Sequence, residues 1–310
     1  MEHYSVLLNE TIEMLNIKPN GIYVDGTLGR GGHSLQILKK LDKGHLYVFD
    51  LDLNAIAETK IRLKEYLDKI TFIHSNYANI KEELIKLNVK EIDGIVLDLG
   101  VSSPQFDDPS RGFSYRFDAK LDMRMNQTQE FDAYKLINEY DFHDIKNILL
   151  KYGEEKNAKY IARGIEKARL IKPIETTFEL VEVIKNSLPS KVLSKKGHPA
   201  KQSFQAIRIE VNQELASLEK VLVDASGLLK KDGVMVIITF HSLEDRIVKD
   251  YFKILATPEK VDKNIPIKAI DLPKADYALI NKKVVLASHD ELNENKRSTS
   301  AKLRGIKKVI

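Results

Sequence analysis

The sequence has no cysteine, and this absence excludes several classes of chemistry. Disulfide bonds, thiolate zinc sites and iron–sulfur clusters all need cysteine, and so does every mechanism with a thiol nucleophile. A chain of 310 residues, 43% of them hydrophobic, is long enough to bury a full core without covalent cross-links. The length suits one α/β domain with either an insertion or a second small domain.

The sequence also lacks a long apolar run and a strong charge of one sign. No hydrophobic stretch approaches the ~20 residues that cross a bilayer, and Met1–Ser5 lacks the basic and apolar regions of a signal peptide. We therefore expect a cytosolic, soluble protein with no membrane partner. Because the net charge is only +4, phosphate contacts would have to use local basic stretches such as 191–201 and 296–308. Such stretches are also typical of plain solvated surface.

The most informative segment is a glycine-rich loop between a predicted strand and a predicted helix. It contains an apolar run, a carboxylate and four glycines: Ile22–Val24, Asp25, Gly26, Gly29, Gly31 and Gly32. Leucines at helical spacing follow over 35–41. About twenty residues beyond the loop, a second apolar strand over 45–49 ends on Asp50, which is placed to accept hydrogen bonds from ribose hydroxyls. The whole pattern indicates an adenosine-containing ligand, whereas the glycines alone would also suit an ordinary turn.

Asp25 helps to choose between adenosine-containing cofactors. A pyrophosphate is anionic and gains nothing from an adjacent carboxylate, whereas the cationic amino group of S-adenosylmethionine does. Asp25 therefore favours S-adenosylmethionine over NAD. Without cysteine, radical chemistry and cytosine C5 methylation are excluded, so the methyl acceptor must already be nucleophilic at nitrogen or oxygen. Because the sulfonium group activates the methyl, we expect no metal.

Alternating strands and helices predict a doubly wound α/β fold. Further strands are expected over 70–74, 92–98 and 233–240, with helices between them. In a parallel sheet of this kind, ligands bind at the carboxyl ends of the strands. Four side chains with suitable chemistry fall at these ends: Asp25, Asp50, Tyr77 and Asp98.

The alternation stops near Arg111, and the chain up to about Leu188 shows only helical patterns. Thr176–Glu179 matches a capping box at the start of one of these helices. We predict a discontinuous cofactor-binding domain over 1–110 and 200–310 and a helical insertion over 111–199. We also expect one long helix over 204–229, a surface loop over 262–280, and a C-terminal hairpin formed by 282–287 and 301–309.

The segment after the fourth strand carries chemistry suited to amine methylation. The lone pair of an exocyclic amine is delocalised into the ring, so hydrogen-bond acceptors aimed at its protons assist attack. Amino-methyltransferases usually supply a side-chain oxygen, a backbone carbonyl and an aromatic face at this position. Here the corresponding groups are Asp98, the 102–104 backbone that includes Pro104, Gln105 and Phe106. The alternative is a simple strand-to-loop turn in which Asp98 caps backbone amides.

Several longer motifs resemble one family. They are Asp25–Ser34, Asp98–Gln105, Arg111–Ser114, Leu121–Met125, His198–Ile209 and Phe240–Arg246. Together with residues 3–8 and 295–304, these motifs resemble the bacterial 16S ribosomal RNA (cytosine-N4)-methyltransferase family, of the RsmH/MraW type. The resemblance covers essentially the whole chain. Six motifs in the right order are far more specific than one glycine loop.

The resemblance implies a class I S-adenosylmethionine-dependent, Rossmann-like fold with a helical, RNA-recognising insertion. It implies methylation of N4 of one cytosine in the decoding centre of 16S rRNA, within the small ribosomal subunit or its assembly intermediate. The cofactor site it implies comprises Gly31, Gly32, His33, Asp50, Tyr77, Asp98 and Gln105. Spacing alone would not select His33 or Gln105. Two departures from the family are small: Tyr77 stands where some relatives have Phe, and Thr299 replaces a frequent Arg.

Some motif residues remain ambiguous. His241, just after the returning strand, is a candidate for contact with the target base or a phosphate, or a hydrogen-bonded structural histidine. Asp122 and Arg124 either position RNA or form an internal salt bridge, and we favour the salt bridge. Lys201 and Arg208 suit phosphate contacts or solvated charges on a helix.

Four functions are consistent with the sequence. The leading one is the RNA cytosine-N4 methyltransferase. The others are an N-methyltransferase of adenine N6 or a protein amide, a nicotinamide oxidoreductase, which Asp25 disfavours, and a non-catalytic RNA-binding assembly factor. The sequence leaves open a homodimer, the need for a general base, and how the target cytosine is extracted.

Overall fold

The computed structural model describes residues 5–259 and 273–310, and the chain divides into two compact units. The first unit comprises Met1–Gly100 and Leu215–Ile310, and the second comprises Val101–Glu214. The second unit thus begins earlier and ends later than the predicted insertion, 111–199. Its later end has a physical reason: the apolar face of Phe204, Ile207 and Val211 packs into the core of this unit.

A single seven-stranded sheet forms the centre of the first unit. Its strands are β1 (Ile22–Asp25), β2 (His45–Asp50), β3 (Ile70–His74), β4 (Ile92–Asp98), β5 (Leu229–Thr239), β6 (Tyr277–Leu279) and β7 (Lys302–Lys308). Their order is β3-β2-β1-β4-β5-β7-β6. The first five strands pair in parallel, and β7 is antiparallel to both β5 and β6. The predicted mostly parallel α/β sheet is therefore confirmed.

The described residues also form helices of very different lengths. In chain order they are α1 (Leu8–Leu15), α2 (Gly32–Lys40), α3 (Leu53–Arg62), α4 (Ile80–Lys86), α5 (Ser103–Asp107), α6 (Ala133–Glu139), α7 (Phe142–Gly153), α8 (Ala158–Arg169), α9 (Thr177–Asn186), α10 (Ser190–Leu193), α11 (Lys201–Asn212), α12 (Glu214–Leu228), α13 (Ser242–Leu255) and α14 (His289–Glu294). Within the described ranges, none of them has the length and apolarity needed to span a membrane.

Both faces of the sheet are covered, as a parallel sheet requires. Along β4, Ile95 and Leu97 belong to one buried cluster, and Val96 belongs to another. Because neighbouring side chains of a strand point to opposite faces, these clusters lie on the two sides of the sheet. Helices α4, α12 and α13 contribute to the first cluster, and α1, α2 and α3 contribute to the second.

The second unit is helical and has its own core, built mainly from α6–α9 and α11. The predicted capping box at the start of α9 is confirmed: Thr176 accepts the Glu179 N–H, and the Glu179 carboxylate accepts the Thr176 N–H. In this unit, Lys120 pairs with Thr176 through one isolated antiparallel bridge.

One prediction about a helix was wrong. The long helix over 204–229 is instead α11 and α12, interrupted at Gln213, whose φ of 49° is left-handed. The apolar face of α11 enters the core of the second unit, whereas α12 places Leu218 and Leu222 in the core of the first. Two helices therefore replace the single predicted one, and each packs into a different core.

The C-terminal region also differs from expectation. Of the predicted loop over 262–280, residues 262–272 lie outside the described part of the chain, and Tyr277–Leu279 forms β6. The predicted hairpin is reduced to one bridge between Val285 and Leu303. Strand β7 instead completes the sheet beside β5, where a longer row of backbone hydrogen bonds is available.

Candidate functional site

The glycine loop after β1 is tightly packed. Gly31 precedes α2 with a φ of 69°, a conformation that glycine adopts without strain. At Gly32, a Cβ atom would collide with the Ser5 hydroxyl, so the chain before α1 lies directly against the loop. Two N–H groups of the loop are used within the protein, because Gly29 donates to Asp50 and Gly31 donates to the Leu28 carbonyl.

Asp25 supports this loop from beneath. Its side chain is buried, with Oδ1 accepting the Thr27 N–H at 3.1 Å and Oδ2 accepting the Ser34 hydroxyl at 2.6 Å. Burial raises the pKa of Asp25, and its interactions with His33, Ser34 and Thr27 oppose that shift. Because both oxygens are engaged within the loop, Asp25 can act on a bound cation through its field; a direct contact stays a prediction.

Asp50 links the loop to the end of β2. Its Oδ2 accepts the Gly29 N–H and its Oδ1 accepts the Asp52 N–H, both at 2.8 Å. Burial raises its pKa to about 6, despite these two hydrogen bonds, and the charges of Asp52 and Asp25 add to the shift. A carboxylate has about four lone-pair sites, so each Asp50 oxygen can also accept a ribose hydroxyl.

Asp98, at the end of β4, has an unused acceptor. Its Oδ1 is buried and has no hydrogen-bond partner among the described residues, and its Oδ2 lies 3.8 Å from Nδ1 of His33. Burial raises the pKa of Asp98 to about 8, with further contributions from Asp25, Glu244 and Glu291. Within the described chain no backbone amide donates to this carboxylate, which disfavours the turn-capping alternative. A buried acceptor without a donor suits an amino or ammonium group of a ligand.

His33 lies beneath Asp98 on the first turn of α2. Only 4% of its surface is exposed, and its Nε2 lies 3.2 Å from the Val6 carbonyl oxygen. Burial lowers the pKa of His33, which favours the neutral ring. Since a carbonyl only accepts, Nε2 carries the proton and Nδ1 turns its lone pair towards Asp98. His33 thus connects the N-terminal segment to the acceptor.

Tyr77 follows β3, where an aromatic side chain is expected to pack on adenine. It begins a short 3₁₀ turn, Tyr77–Asn79, which Asn76 caps by accepting the Ala78 N–H at 2.8 Å. Asn76 also donates to the Ser217 hydroxyl at 3.0 Å, which fixes the turn to α12. Tyr77 is half-buried, and its Cβ lies close to Gly26. The side chain therefore begins beside Gly26 and packs against a buried cluster of the first unit.

The other residues predicted for cofactor or acceptor binding after β4 belong to the second unit. Pro104, Gln105 and Phe106 lie in α5. Gln105 is 6% exposed and accepts the Ser102 N–H through Oε1 at 3.0 Å. Phe106 is half-buried against the core of this unit. Their participation in the site stays a prediction.

His241 is the N-cap of α13, which favours its structural alternative. Its Nε2 lies 3.1 Å from Oε1 of Glu244, and its Nδ1 accepts the Glu244 N–H at 3.5 Å. Glu244 in turn accepts the N–H groups of Phe240 and His241. This reciprocal capping box engages Nδ1, whereas the buried Nε2 has no hydrogen-bond partner among the described residues. A catalytic role for His241 stays a prediction.

The ambiguous charged residues of the second unit mostly hold its loops. Arg124 makes a bidentate contact with Asp122, at 2.9 and 2.7 Å, as we favoured from the sequence. Arg208 makes a similar contact with Glu214, at 2.8 and 2.9 Å. Lys201, in contrast, is exposed at the start of α11.

Sequence reasoning missed two acids that shape the site. Glu244 and Glu291 both raise the pKa of Asp98. Glu291, in α14, also accepts the Leu7 N–H at 2.9 Å. Glu244 stands inside one of the quoted motifs and could have been found, but no spacing signals Glu291. Within the described ranges, no group of three or more acidic or histidine side chains is arranged to hold a metal ion.

The arrangement suits a cationic ligand that carries a ribose. Asp50 offers acceptors at one strand end, Tyr77 an aromatic face at the next, and Asp98 an unused buried oxygen beyond the loop. The acids around Asp98 give this end of the sheet a negative potential, which opposes anionic ligands such as a pyrophosphate.

The chain is similar to several known proteins. A family model described as the MraW methylase family matches residues 1–309. The chain is 54% identical to the ribosomal RNA small subunit methyltransferase H of Streptococcus pyogenes serotype M4 (strain MGAS10750), over 99% of this chain and 98% of that protein. A solved rRNA methylase from Streptococcus thermophilus matches with a TM-score of 0.43 and 12% identity, over 100% of both chains.

Proposed function

The chain belongs to the MraW methylase family, and from this premise we propose that it transfers the methyl group of S-adenosylmethionine to N4 of a cytosine in 16S rRNA of the small ribosomal subunit. The curated relative, at 54% identity, is named for small-subunit rRNA methylation. The observation that carries the chemistry is the buried Oδ1 of Asp98, which has no donor in the described chain.

The residues of the first unit fit the cofactor. When bound, S-adenosylmethionine supplies an electrophilic methyl group on a positively charged sulfonium. Asp50 accepts hydrogen bonds from the ribose, and Tyr77 packs against the adenine. Gly31 and Gly32 bring the backbone close, and Asp25 stabilises the cation from below the loop.

Asp98 orients the acceptor amine. Accepting an N–H bond at Oδ1 favours rehybridisation of the nitrogen towards sp³, so that its lone pair becomes available. The amine carries a surplus proton only after it has gained the methyl group, and an Asp98 oxygen with a raised pKa is suited to receive it. The 102–104 backbone, Gln105 and Phe106 belong to the second unit, and their use as further acceptors and a stacking face stays a prediction.

Methyl transfer from isotopically labelled S-adenosylmethionine tests the proposal. The substrate is small subunits from a strain that lacks this enzyme, and labelled nucleosides are identified by mass spectrometry. Label in N4-methylcytidine supports the proposal, whereas label in N6-methyladenosine or in protein contradicts the acceptor. Subunits from the parent strain, already methylated, are the control. Comparing mature subunits with assembly intermediates identifies the stage that is recognised.

The remaining predictions concern partners. We propose that the second unit recognises RNA and that the enzyme acts in the cytoplasm, where its ribosomal substrate is assembled. Sedimentation of the free protein tests for a homodimer. The non-catalytic alternative, an assembly factor that keeps the fold, predicts that Asp98→Ala leaves cellular function intact.

A further inference from the structure

The second unit contains a long stretch of chain without acidic residues. Between Glu182 and Glu210 there is no Asp or Glu, but there are six cations: Lys185, Lys191, Lys195, Lys196, Lys201 and Arg208. Arg208 is paired with Glu214. Lys185 contacts Glu182 at 2.8 Å, but these side chains are 40% and 61% exposed, and such exposed pairs neutralise little of the surface potential. The exposed part of this stretch is therefore positively charged.

Two stacked aromatic rings lie in the same region. The rings of Tyr115 and His198 are parallel within 8°, with centroids 4.2 Å apart. Tyr115 also meets Phe204 edge-on at 5.7 Å, and Phe204 is a buried core residue. Nδ1 of His198 accepts the Ala200 N–H at 3.3 Å, which fixes the ring on its loop. The stack thus runs from the core to the half-exposed His198.

Cations surround the outer ring. Burial lowers the pKa of His198, and the charges of Lys185 and Arg116 lower it further. Arg116 is exposed, and its guanidinium makes no hydrogen bond or ion pair within the described residues. The backbone beside it is fixed, because the Phe117 carbonyl accepts the Thr177 hydroxyl at 2.7 Å. A neutral, positioned ring with unpaired charge beside it is the combination that single-stranded nucleic acid recognition uses.

We propose that this surface binds the substrate RNA, with one base stacked on His198 and the adjacent phosphates bound by the cations. We call it the basic face and define it by the stacked pair, Tyr115 and His198, and by Arg116, Lys185, Lys191, Lys195, Lys196 and Lys201. The inference rests on the proposed function for its substrate, RNA, and adds the residues that hold that substrate. An acidic protein partner would use the cations but would gain nothing from the stacked rings.

Two substitutions of His198 distinguish base stacking on its ring from its hydrogen bond with the Ala200 N–H. His198→Asn keeps a polar acceptor for the Ala200 N–H and removes the ring, whereas His198→Phe keeps a ring and removes the acceptor. Binding of a fluorescein-labelled, mixed-sequence, single-stranded RNA to the full chain is measured by anisotropy. We expect His198→Asn to weaken RNA binding about tenfold. The affinity of His198→Phe for RNA should stay within about twofold of the wild-type value. Equal affinities for both variants would overturn the stacking.

A charge-matched comparison tests the phosphate contacts. The double variant Arg116→Ala/Lys185→Ala removes two cations next to His198, and Lys159→Ala removes an exposed lysine of α8 that has no ion pair among the described residues. We expect the double variant to reduce the slope of log Kd against log salt by about 1.4, at about 0.7 per phosphate contact, and Lys159→Ala to leave it unchanged. An unchanged slope in the double variant would overturn the basic face.

The two proposals fail separately. If the wild type forms N4-methylcytidine and His198→Asn binds RNA normally, the basic face is wrong and the function stands. If the RNA results are as expected but the wild type labels adenosine or protein, the function is wrong and the basic face stands. Unchanged S-adenosylmethionine affinity in every variant shows that the first unit is intact, and an unchanged thermal unfolding midpoint shows the same for the second. Equal competition by polyglutamate and RNA at matched charge would show a protein partner and overturn the RNA assignment.

Discussion

The two units use charge in opposite ways. In the first, burial raises the pKa of Asp98 to about 8 at the end of the sheet, and the charges of Asp25, Glu244 and Glu291 add to this shift. In the second, the cations of the basic face are spread over an exposed surface. The ionisation of a buried group depends on pH and on a partner that replaces water. The interactions of an exposed charge instead weaken as the salt concentration rises. The first arrangement suits a small cation, and the second suits an anionic polymer.

The largest expected effect comes from removing the central acid of the first unit. Asp98→Ala should lower methyl transfer by about a hundredfold to a thousandfold, because the amine loses its positioned acceptor. Initial rates on small subunits measure the loss. Asp42→Ala, at an exposed aspartate of the same unit, is the control and should retain normal rates. Near-normal turnover of Asp98→Ala would contradict the role assigned to this residue.

Salt should weaken RNA binding by the second unit much more than cofactor binding by the first. Raising monovalent salt from about 50 to 200 mM should weaken RNA binding by about twentyfold for roughly three phosphate contacts, because condensed counterions are released on binding. The affinity for S-adenosylmethionine should change by less than about threefold, since buried charges are poorly screened. Anisotropy and calorimetric titrations provide the two measurements. Equal salt dependence of both ligands would remove the distinction.

A change of pH should affect cofactor binding by the first unit and leave RNA binding by the second unchanged. Below pH 8 the free protein holds a proton on Asp98, so a cationic ligand must displace that proton to bind. S-adenosylmethionine should therefore bind about tenfold more weakly at pH 7 than at pH 9, and RNA binding should change little. Asp98→Asn should bind weakly with no such slope. A slope that persists in this variant would assign the titration to another group, with Asp50 and its pKa of about 6 as the next to examine.

The smallest effect concerns stability. A carboxyl whose pKa is raised on folding stabilises the folded state at low pH and loses that contribution as pH rises through the folded value. Asp98→Asn should therefore stabilise the free protein by on the order of 2 kcal/mol at pH 9 and by little at pH 4. Thermal unfolding at both values measures this. The same gain at pH 4 and pH 9 would show that charge is not the cause.

Local sequence patterns predicted most of the fold and placed the candidate acids Asp25, Asp50 and Asp98 at strand ends. Apolar runs that end on Asp25, Asp50 and Asp98 were sufficient to predict the parallel strands and their ligand-binding ends, because strand direction and side-chain chemistry are both local. The break at Gln213 was missed, since apolar spacing continues through it and glutamine gives no signal for a left-handed residue. Strand β6 was missed because its pairing partner lies in β7, about thirty residues away.

The parts of the site that were missed depend on contacts between distant segments. His33 was found only through the family resemblance, and nothing in its spacing indicates that it joins Val6 to Asp98. The role of Glu291 becomes visible only when the chain has folded and its carboxylate meets the Leu7 N–H. Residue spacing predicts contacts between residues that are close in the sequence. These contacts join segments that are far apart in the sequence.

The bond between Leu7 and Glu291 has a consequence for how the protein is made. A left-handed, fully buried Leu7 needs a compensating partner, and that partner is synthesised 284 residues later. Strands β1 to β5 can pair while translation continues, and the segment that covers the glycine loop can already meet α2 through the Val6 carbonyl and His33, but its hydrogen bond to Glu291 forms only after α14 has been synthesised. The contact between Leu7 and Glu291 is therefore among the last to form over the glycine loop during synthesis.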